Sequence, residues 1–375
     1  MLYRKIIRPI LFKTDPERIH HFVINFLGAT SVLRPFYFLI KKFLFIDDPR
    51  LHVKIGNIEL KNPVGLSAGF DKDITAPLAY PMLGFGFAEL GSITNSAQPG
   101  NPKPRLWRIP EDNGLIVYYG LSNCGSLEAS RRIKKKLAKR DIPYGVSIAV
   151  TTGLKENEMA DDYVRSFLDL YELADYITLN VSCPNVAKCD VFAQVSFIEE
   201  LLQKIMNIVS AQGACLSGRQ GSVSSGKKIK KDIFIKIGPD MSYEDLDKVI
   251  DLCLKYEITG IVATNLIKDR SWVKKFNSSE EKLNHPGGIS GKHLQERSNK
   301  IISHIRERAG SKLKIIGVGG IFTAEDVYDK MKAGADAVQM ITGFIYGGPF
   351  TIRKINKELV KILEEKGLNN LQDIK

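Results

Sequence analysis

The sequence has few cysteines, and their spacing does not suit a metal site or a redox pair. Only Cys124, Cys183, Cys189, Cys215 and Cys253 occur, an odd number scattered along the chain without a Cys-x-x-Cys motif. Structural zinc sites need clustered ligands, and disulfide frameworks need paired cysteines. We therefore expect a reducing compartment, no disulfide framework and no metal.

A long uninterrupted apolar run is also missing. The longest charge-free stretch near the N-terminus lies between Arg18 and Arg34, and it contains His20, His21 and Asn25. A membrane-spanning helix needs about 20 mostly apolar residues. Charged residues also interrupt the first apolar positions, unlike the apolar region of a signal peptide. Neither a membrane-spanning helix nor a cleaved signal peptide is expected.

Acidic residues are too few to balance the basic ones. The chain has 54 Lys and Arg against 42 Asp and Glu, which gives a formal charge of +12 and a pI of about 9.3. Aromatic residues are not interleaved with the basic clusters as in nucleic-acid-binding proteins, so no nucleic-acid partner is expected. The excess positive charge favours an anionic surface or anionic small molecules.

The sequence has enough apolar residues, regularly spaced, for one large barrel. Its 375 residues are 44% hydrophobic, and amphipathic helical stretches such as 192–209, 243–256 and 323–333 separate most of its apolar runs. The eight runs are 62–67, 85–91, 145–150, 176–181, 233–237, 259–264, 314–318 and 336–341. Alternating strands and helices of this number predict an α/β fold, a (β/α)8 TIM barrel over residues 47–375. The intervals 92–144 and 182–232 leave room for insertions, and Gly213–Lys231 reads as a surface loop.

Residues 1–46 form a separate N-terminal helical extension. Apolar residues recur there at helical spacing, and an aromatic run, Phe36 to Ile40, is followed by Lys41 and Lys42. Basic residues beside an apolar face are typical of a helix lying on a membrane surface. A pair of helices docked on the barrel fits equally well, and the two interpretations are compatible.

Polar residues follow most of the predicted strands, where the active site of such a barrel lies. Asn180, Cys183 and Asn185 come directly after the fourth strand. Two carboxamides can form hydrogen bonds with the donor and acceptor groups of a planar amide or imide, and a thiol can transfer a proton. A turn with a structural cysteine is the alternative, but convergence of polar residues from seven strand ends favours an active site.

Two further strand ends indicate an anionic ligand. Gly319, Gly320, Thr342 and Gly343 follow strands seven and eight, the usual phosphate site of this fold, although tight turns would also use glycine there. Lys236 at a strand end would be costly if buried alone. A bound flavin would explain it, since a cation near the pyrimidine edge stabilises the reduced ring. An exposed lysine is the alternative.

With these residues in place, the chain resembles the dihydroorotate dehydrogenase family over nearly its whole length. The stretches that carry the resemblance are 15–20, 61–66, 68–72, 98–105, 180–185, 236–240, 263–265, 287–291 and 317–321. The N-terminal extension resembles that of the membrane-associated, quinone-using class. The resemblance implies oxidation of dihydroorotate to orotate, with FMN as cofactor and a quinone as electron acceptor. It also implies a peripheral position on the cytoplasmic face of the membrane.

The resemblance also assigns roles to residues of this chain. Cys183 takes the position of the base, Lys72, Asn180, Asn185 and Asn265 would bind substrate, and His20 and Arg108 match the quinone tunnel. FMN contacts would fall on Ala68, Gly69, Lys72, Ser92, Ser147, Asn180, Lys236, Thr264, Gly291, Gly320, Ile341 and Thr342.

Several positions depart from the family pattern. Cys183 replaces the serine of the quinone-using class, and Val186 and Leu121 replace the threonine and phenylalanine that support it. Val117 replaces a substrate-binding asparagine and Leu266 a Ser or Thr. Ser147 replaces a flavin-contacting asparagine, and Ala149-Val150 a Gly-Lys pair. The alternatives are an FMN enzyme acting on another cyclic amide or dihydropyrimidine, and a flavin-binding protein without turnover.

Overall fold

The computed structural model describes residues 2–182, 191–217, 230–271 and 276–374. The side chains of residues 191–194 and 212–217 also fall outside the described part. Cys183, Asn185 and Val186, and most of Gly213–Lys231, therefore lie outside the described residues.

The N-terminal segment is helical. A π-helical turn, Tyr3–Ile7, continues into α1 (Arg8–Phe12), and α2 (Pro16–Ser31) and α3 (Arg34–Leu44) follow. The Asp15 carboxylate caps α2 by accepting a hydrogen bond from the Arg18 N–H at 2.8 Å. No single helix in the described ranges is long and apolar enough to cross a membrane. Within the described part of the chain, α2 and α3 taken together reach that length and apolarity, and they are bent by 108° at their junction.

All eight predicted strands are present and close into a barrel. The strands of the described part are β1 (Val53–Ile55), β2 (Ile58–Leu60), β3 (Val64–Leu66), β4 (Phe87–Ile93), β5 (Leu106–Ile109), β6 (Gly114–Val117), β7 (Tyr144–Ile148), β8 (Tyr176–Asn180), β9 (Asp232–Ile237), β10 (Gly260–Ala263), β11 (Gly288–Gly291), β12 (Lys314–Val318) and β13 (Ala337–Met340). The barrel order is β3-β4-β7-β8-β9-β10-β12-β13, with every neighbouring pair parallel. These strands are apolar because both faces are buried. The predicted (β/α)8 barrel is confirmed.

Helices cover the outside of the barrel. In the described part they are α4 (Ala79–Met82), α5 (Ser126–Lys136), α6 (Glu156–Leu170), α7 (Val191–Ser217), α8 (Tyr243–Lys255), α9 (Glu280–Leu283), α10 (Leu294–Ala309), α11 (Ala324–Lys332), α12 (Thr342–Gly347) and α13 (Thr351–Glu365). Short 3-10 turns lie at Pro49–Leu51, Pro110–Asp112, Tyr171–Leu173, Gly310–Lys312 and Leu371–Asp373. The three helical stretches named from the sequence are confirmed within α7, α8 and α11.

A small antiparallel sheet is added to the barrel. Strand β6 lies between β5 and β11, so that Val117 pairs with Leu106 on one side and Gly288 on the other. This sheet has its own buried apolar cluster, which includes Ile116 and Ile289. Both insertions that form it start after barrel strands β4 and β10. The sheet therefore lies beside the strand ends that carry the polar residues.

Candidate active site

A cavity of about 570 Å³ lies at the C-terminal ends of the barrel strands. Eleven of the twelve residues predicted to contact a cofactor line it: Ala68, Gly69, Lys72, Ser92, Asn180, Lys236, Thr264, Gly291, Gly320, Ile341 and Thr342. Asn265, predicted to bind substrate, also lines it. Ser147 is fully buried behind Ser92, and the two hydroxyl oxygens are 2.7 Å apart. The structure thus brings together residues from seven of the eight strand ends.

Lys236 is a buried cation in the floor of the cavity. Its Nζ donates a hydrogen bond to Ser67 Oγ at 3.2 Å and lies 3.9 Å from Glu89 Oε1. Burial lowers the pKa of Lys236, and the Glu89 carboxylate opposes that shift. The other carboxylate oxygen, Glu89 Oε2, accepts hydrogen bonds from Thr178 and Gln339 at 2.8 and 3.1 Å. The charge of Lys236 is therefore fixed in place by groups inside the barrel.

Hydrogen bonds link the amides and hydroxyls on one wall. Asn180 Nδ2 donates to Ser92 Oγ at 2.9 Å, while Asn180 Oδ1 accepts from Ser182 Oγ at 2.8 Å. Asn265 Nδ2 in turn donates to Ser182 Oγ at 2.6 Å. The Tyr163 hydroxyl fixes the backbone below by donating to the Asn180 carbonyl at 2.7 Å. The two predicted substrate-binding asparagines are thus held in defined orientations on this wall.

Lys72 supplies a second cation to the cavity. Its Nζ lies 3.7 Å from the centroid of the Tyr119 ring, and the Arg105 guanidinium lies 5.1 Å from the same centroid. Burial lowers the pKa of Lys72 to about 8, and the nearby carboxylates Asp73 and Glu17 oppose the shift. The cavity lining therefore includes Lys236 on β9 and Lys72 in the loop after β3, which can face an anionic ligand, and Lys268 lines it as well.

The loops after β12 and β13 bring together the residues predicted to bind a phosphate. Gly319 and Gly320 have positive φ angles of 116° and 75°, which L side chains rarely adopt. Thr342 Oγ1 lies 2.8 Å from Ser290 Oγ, so two hydroxyls meet where these loops line the cavity. This combination of glycine backbone and hydroxyls suits a phosphate group.

The residues at the cavity also suit a flavin nucleotide. Thr264 Oγ1 is buried and has no hydrogen-bond partner among the described residues, although Thr264 lines the cavity. Gly69, with φ of 102°, has no atom of the described chain within 4 Å of the position a Cβ would take. The unpartnered Thr264 hydroxyl can hydrogen-bond a polar ring, and the open space at Gly69 leaves room for a flat one. With Lys72 and Lys236 nearby, these features fit a flavin ring that carries a phosphate group.

The wall formed by the small sheet is less polar. Val117, Leu121 and Leu266 line the cavity where the family pattern has polar or aromatic residues. Leu266 packs against the backbone of Gly288, and only a glycine leaves room for it, since a Cβ at position 288 would lie 2.5 Å from Leu266 Cβ. The described part of the cavity therefore has one amide-rich wall and one apolar wall.

His20 brings helix α2 into the same cavity. Its ring lines the cavity and packs edge-on against Phe70 at 5.1 Å. Burial, together with the charge of Lys72, lowers the pKa of His20 to about 3, so this histidine is neutral at physiological pH. Arg108, the other predicted tunnel residue, donates hydrogen bonds to the Phe12 and Thr14 carbonyls at 3.2 and 2.7 Å. It lies against the N-terminal helices beside the cavity.

Sequence reasoning missed several groups of the site. Glu89 lies inside the predicted apolar run 85–91, and Ser182 lies inside the stretch 180–185 without an assigned role. Tyr119 has no predicted role either. A carboxylate inside an otherwise apolar run was the available signal for Glu89, since a buried charge needs a partner. The contact between Lys72 and Tyr119 had no comparable signal, because the two residues are distant in the sequence.

Comparison with known proteins identifies the family. The dihydroorotate dehydrogenase family model matches residues 50–363. The chain is 36% identical over 371 residues to dihydroorotate dehydrogenase (quinone) from Gloeobacter violaceus, covering 99% of this chain and 97% of that protein. It is 37% identical over 374 residues to the protein of the same name from Christiangramia forsetii, covering 98% and 100%.

A solved structure agrees with these sequence relatives. The dihydroorotate dehydrogenase of Eimeria tenella, in complex with ferulenol, superposes with a TM-score of 0.78 at 30% identity. The match covers 96% of this chain and 94% of that one. The chain therefore belongs to the dihydroorotate dehydrogenase family, and over nearly its whole length it resembles the quinone-dependent members.

Proposed function

We propose that this protein oxidises dihydroorotate to orotate with FMN as cofactor and passes the electrons to a membrane quinone, as a step of de novo pyrimidine synthesis. The observation that carries the proposal is the single cavity lined by Lys72, Asn180 and Asn265 in the barrel and by His20 of α2. One end offers groups for a polar ring, and the other reaches the N-terminal helices. The names of the full-length relatives support the same activity.

The residues for the cofactor are those that line the cavity floor and the phosphate loops. Gly320, Thr342 and Ser290 would hold the phosphate, and Lys236, Thr264 and Ser92 would contact the ring. When bound, FMN supplies hydride acceptance from the substrate and electron transfer to the quinone. The buried Lys236 would place positive charge beside the ring, supported by Glu89.

The substrate would be held by Lys72 and by the asparagines Asn180, Asn185 and Asn265, with Cys183 removing its proton. Cys183 and Asn185 lie outside the described residues, so their roles rest on the sequence. The neighbouring Ser182 is anchored between Asn180 and Asn265 by hydrogen bonds of 2.8 and 2.6 Å. A thiol has an ordinary pKa near 8.5, and a cation such as Lys72 would favour the thiolate.

The N-terminal helices would lie peripherally on the cytoplasmic face of the membrane and admit quinone. Large apolar side chains of α2 and α3 are exposed, among them Phe22 at 65% and Leu39 at 67%. Exposed apolar clusters of this size mark an interaction surface. His20, on the same helix as Phe22, lines the cavity and connects this surface with the proposed flavin site.

Anaerobic flavin reduction tests the proposal. The purified full-length protein should show the absorbance of bound FMN and should lose the oxidised flavin band when dihydroorotate is added. A yellow protein that stays unbleached would exclude this substrate. Bleaching by another dihydropyrimidine instead would indicate that the apolar wall at Val117 and Leu266 has changed the substrate.

A substitution tests the proton-transfer role. Cys183→Ala should abolish flavin reduction by dihydroorotate while FMN stays bound, because the base is lost and the flavin contacts remain. Cys253→Ala is a matched control, since Cys253 is fully buried in α8 away from the cavity. An unchanged reduction rate in Cys183→Ala would refute the assignment.

A further inference from the structure

The excess positive charge of the chain is concentrated in two segments. Residues 1–46 contain eight Lys or Arg and two Asp or Glu, and residues 126–140 contain seven Lys or Arg and one Glu. Each segment therefore has a net charge of +6, and together they equal the formal net charge of +12. The remainder of the chain is balanced. The first segment is the N-terminal helical extension, and the second is α5 with the turn that follows it.

The fold places α5 beside α2. From α5, Arg132 Nη1 donates to the Asp73 carbonyl at 2.7 Å, and Lys136 Nζ donates to the Thr75 carbonyl at 2.7 Å. The same Thr75 carbonyl oxygen lies 3.0 Å from the position that a Cβ on Gly28 of α2 would take. One short loop is therefore in contact with both helices.

The turn after α5 also contacts α3. The Asp141 carboxylate accepts hydrogen bonds from the Tyr37 hydroxyl and from Lys41 Nζ, the latter at 2.6 Å. This acidic group is thereby neutralised by α3. Glu128, the single acidic residue of the second segment, is paired with Arg132 at 2.9 Å and Arg131 at 3.6 Å.

One flank of α5 is left with unpaired positive charge. Lys135 lies three residues after Arg132 and next to Lys136, so helical periodicity places it on the side of α5 that borders the loop at Asp73 and Thr75. Lys139 lies two residues before Asp141, which contacts α3. Both side chains are exposed, and neither ammonium group has a hydrogen-bond or ion-pair partner among the described residues. We call Arg132, Lys135, Lys136 and Lys139 the basic flank.

The helices that share these contacts with α5 also carry an exposed apolar surface. Phe22, Phe26 and Leu39 on α2 and α3 are each more than half exposed. Apolar side chains that can enter the acyl region, combined with basic groups that can reach the headgroups, match a bilayer containing anionic lipids. A soluble anion would not explain the exposed aromatic residues, and a neutral bilayer would not explain the charge.

We propose that the basic flank of α5 binds anionic phospholipid headgroups and gives the protein a preference for negatively charged bilayers. This inference rests on the proposed membrane attachment of the N-terminal helices and adds a second, electrostatic contact from the barrel itself. Lipid charge is recognised by Lys135 and Lys139, while α2 and α3 supply the apolar contact.

Vesicle binding by the full-length protein tests the proposal. Binding to vesicles of phosphatidylcholine is compared with binding to vesicles that also contain phosphatidylglycerol. The double variant Lys135→Gln/Lys139→Gln should bind the anionic vesicles roughly 25-fold more weakly, about fivefold for each lysine lost near a charged surface. Its binding to neutral vesicles should not change. Raising the salt concentration should reduce the preference of the unmodified protein.

A matched variant controls for net charge. Lys312→Gln/Lys332→Gln removes two exposed lysines from the 3-10 turn before β12 and from α11, and it should bind both kinds of vesicle like the unmodified protein. Equal binding of the unmodified protein to neutral and anionic vesicles would overturn the proposal but leave membrane attachment intact. An unchanged preference in the Lys135→Gln/Lys139→Gln variant would also overturn it. Absence of binding to either vesicle would refute membrane attachment itself.

Discussion

At the scale of single residues, Lys72 is a cation held against an aromatic ring. Its Nζ is 3.7 Å from the centroid of the Tyr119 ring, and burial lowers its pKa to about 8. The face of an aromatic ring favours the charged form of an amine. Tyr119 therefore acts with the carboxylates of Asp73 and Glu17 to favour the protonated form of Lys72 against the effect of burial.

Replacing Tyr119 should move the pH dependence of the reaction. Tyr119→Leu removes the ring, which favours the ammonium form, so the pKa of Lys72 falls further. The rate of flavin reduction should fall at alkaline pH as Lys72 loses its proton. In Tyr119→Leu this fall should begin roughly 1 pH unit lower, because the contact between the Lys72 ammonium and the ring is worth about 1–2 kcal/mol. Tyr119→Phe keeps the ring and should retain the original profile. The measurement is the rate of anaerobic flavin reduction across pH, and identical profiles for all three proteins would contradict this role.

Much of the site could be predicted residue by residue, because polar groups follow the strands directly. Asn180, Lys236 and Thr264 are each read from their position at the end of an apolar run. The partners of these groups could not be predicted in the same way. Glu89 lies 3.9 Å from Lys236 across the barrel, and strand pairing, which no local pattern encodes, brings them together.

At the scale of structural elements, one buried ion pair joins α2 to the segment before β5. Glu17 accepts hydrogen bonds from Arg105 Nε at 3.2 Å and from Nη2 at 2.9 Å, and both side chains are buried. Arg105 also donates to the Pro99 and Asn101 carbonyls at 2.8 and 3.0 Å. Burial alone would raise the pKa of Glu17, but Arg105, with help from Lys103 and His21, lowers it to about 2.

Breaking this pair should destabilise the protein in a pH-dependent way. Glu17→Gln leaves a buried guanidinium without its counter-ion, which typically costs about 3–5 kcal/mol. Because the folded-state pKa of Glu17 is below its ordinary value of 4.5, the stabilisation is complete above about pH 4.5 and is lost as the pH falls toward 2. Urea unfolding should therefore show a large difference between variant and unmodified protein at pH 7 that shrinks through this acidic window.

The double variant Glu17→Gln/Arg105→Met is the matched control for this measurement. It removes both charges and should recover part of the lost stability. A difference between Glu17→Gln and the unmodified protein that stayed constant from pH 7 to pH 3 would contradict the ion-pair explanation.

The barrel strands were predictable as elements, whereas the small sheet was not. Each barrel strand is a buried apolar run with a helix behind it, so its signal is local. Strand β6 pairs with β11, and Val117 and Gly288 are far apart in the sequence. The sequence of the interval 92–144 therefore predicts only room for an insertion, although this interval supplies Val117 and Leu121 to the apolar wall of the cavity.

At the scale of the whole molecule, the exposed apolar side chains of α2 and α3 define one surface. The triple variant Phe22→Ser/Phe26→Ser/Leu39→Ser should bind vesicles at least roughly 1,000-fold more weakly, since each large apolar side chain contributes about 1.5–3 kcal/mol when buried. Activity with a quinone in vesicles should fall, while activity with a soluble dye should persist. Leu168→Ser, at an exposed apolar residue of α6, is the control. Equal losses with quinone and dye would show damage to the active site instead.

The uneven placement of charge has a consequence for how the protein arrives at a surface. Residues 1–46 and 126–140 hold all the excess positive charge, and the rest of the chain is balanced. Such a molecule has a permanent electric dipole, and a negatively charged plane exerts a torque on a dipole before any contact forms. Each encounter would thus begin with α2, α3 and α5 already facing the plane, so fewer collisions are lost to wrong orientations.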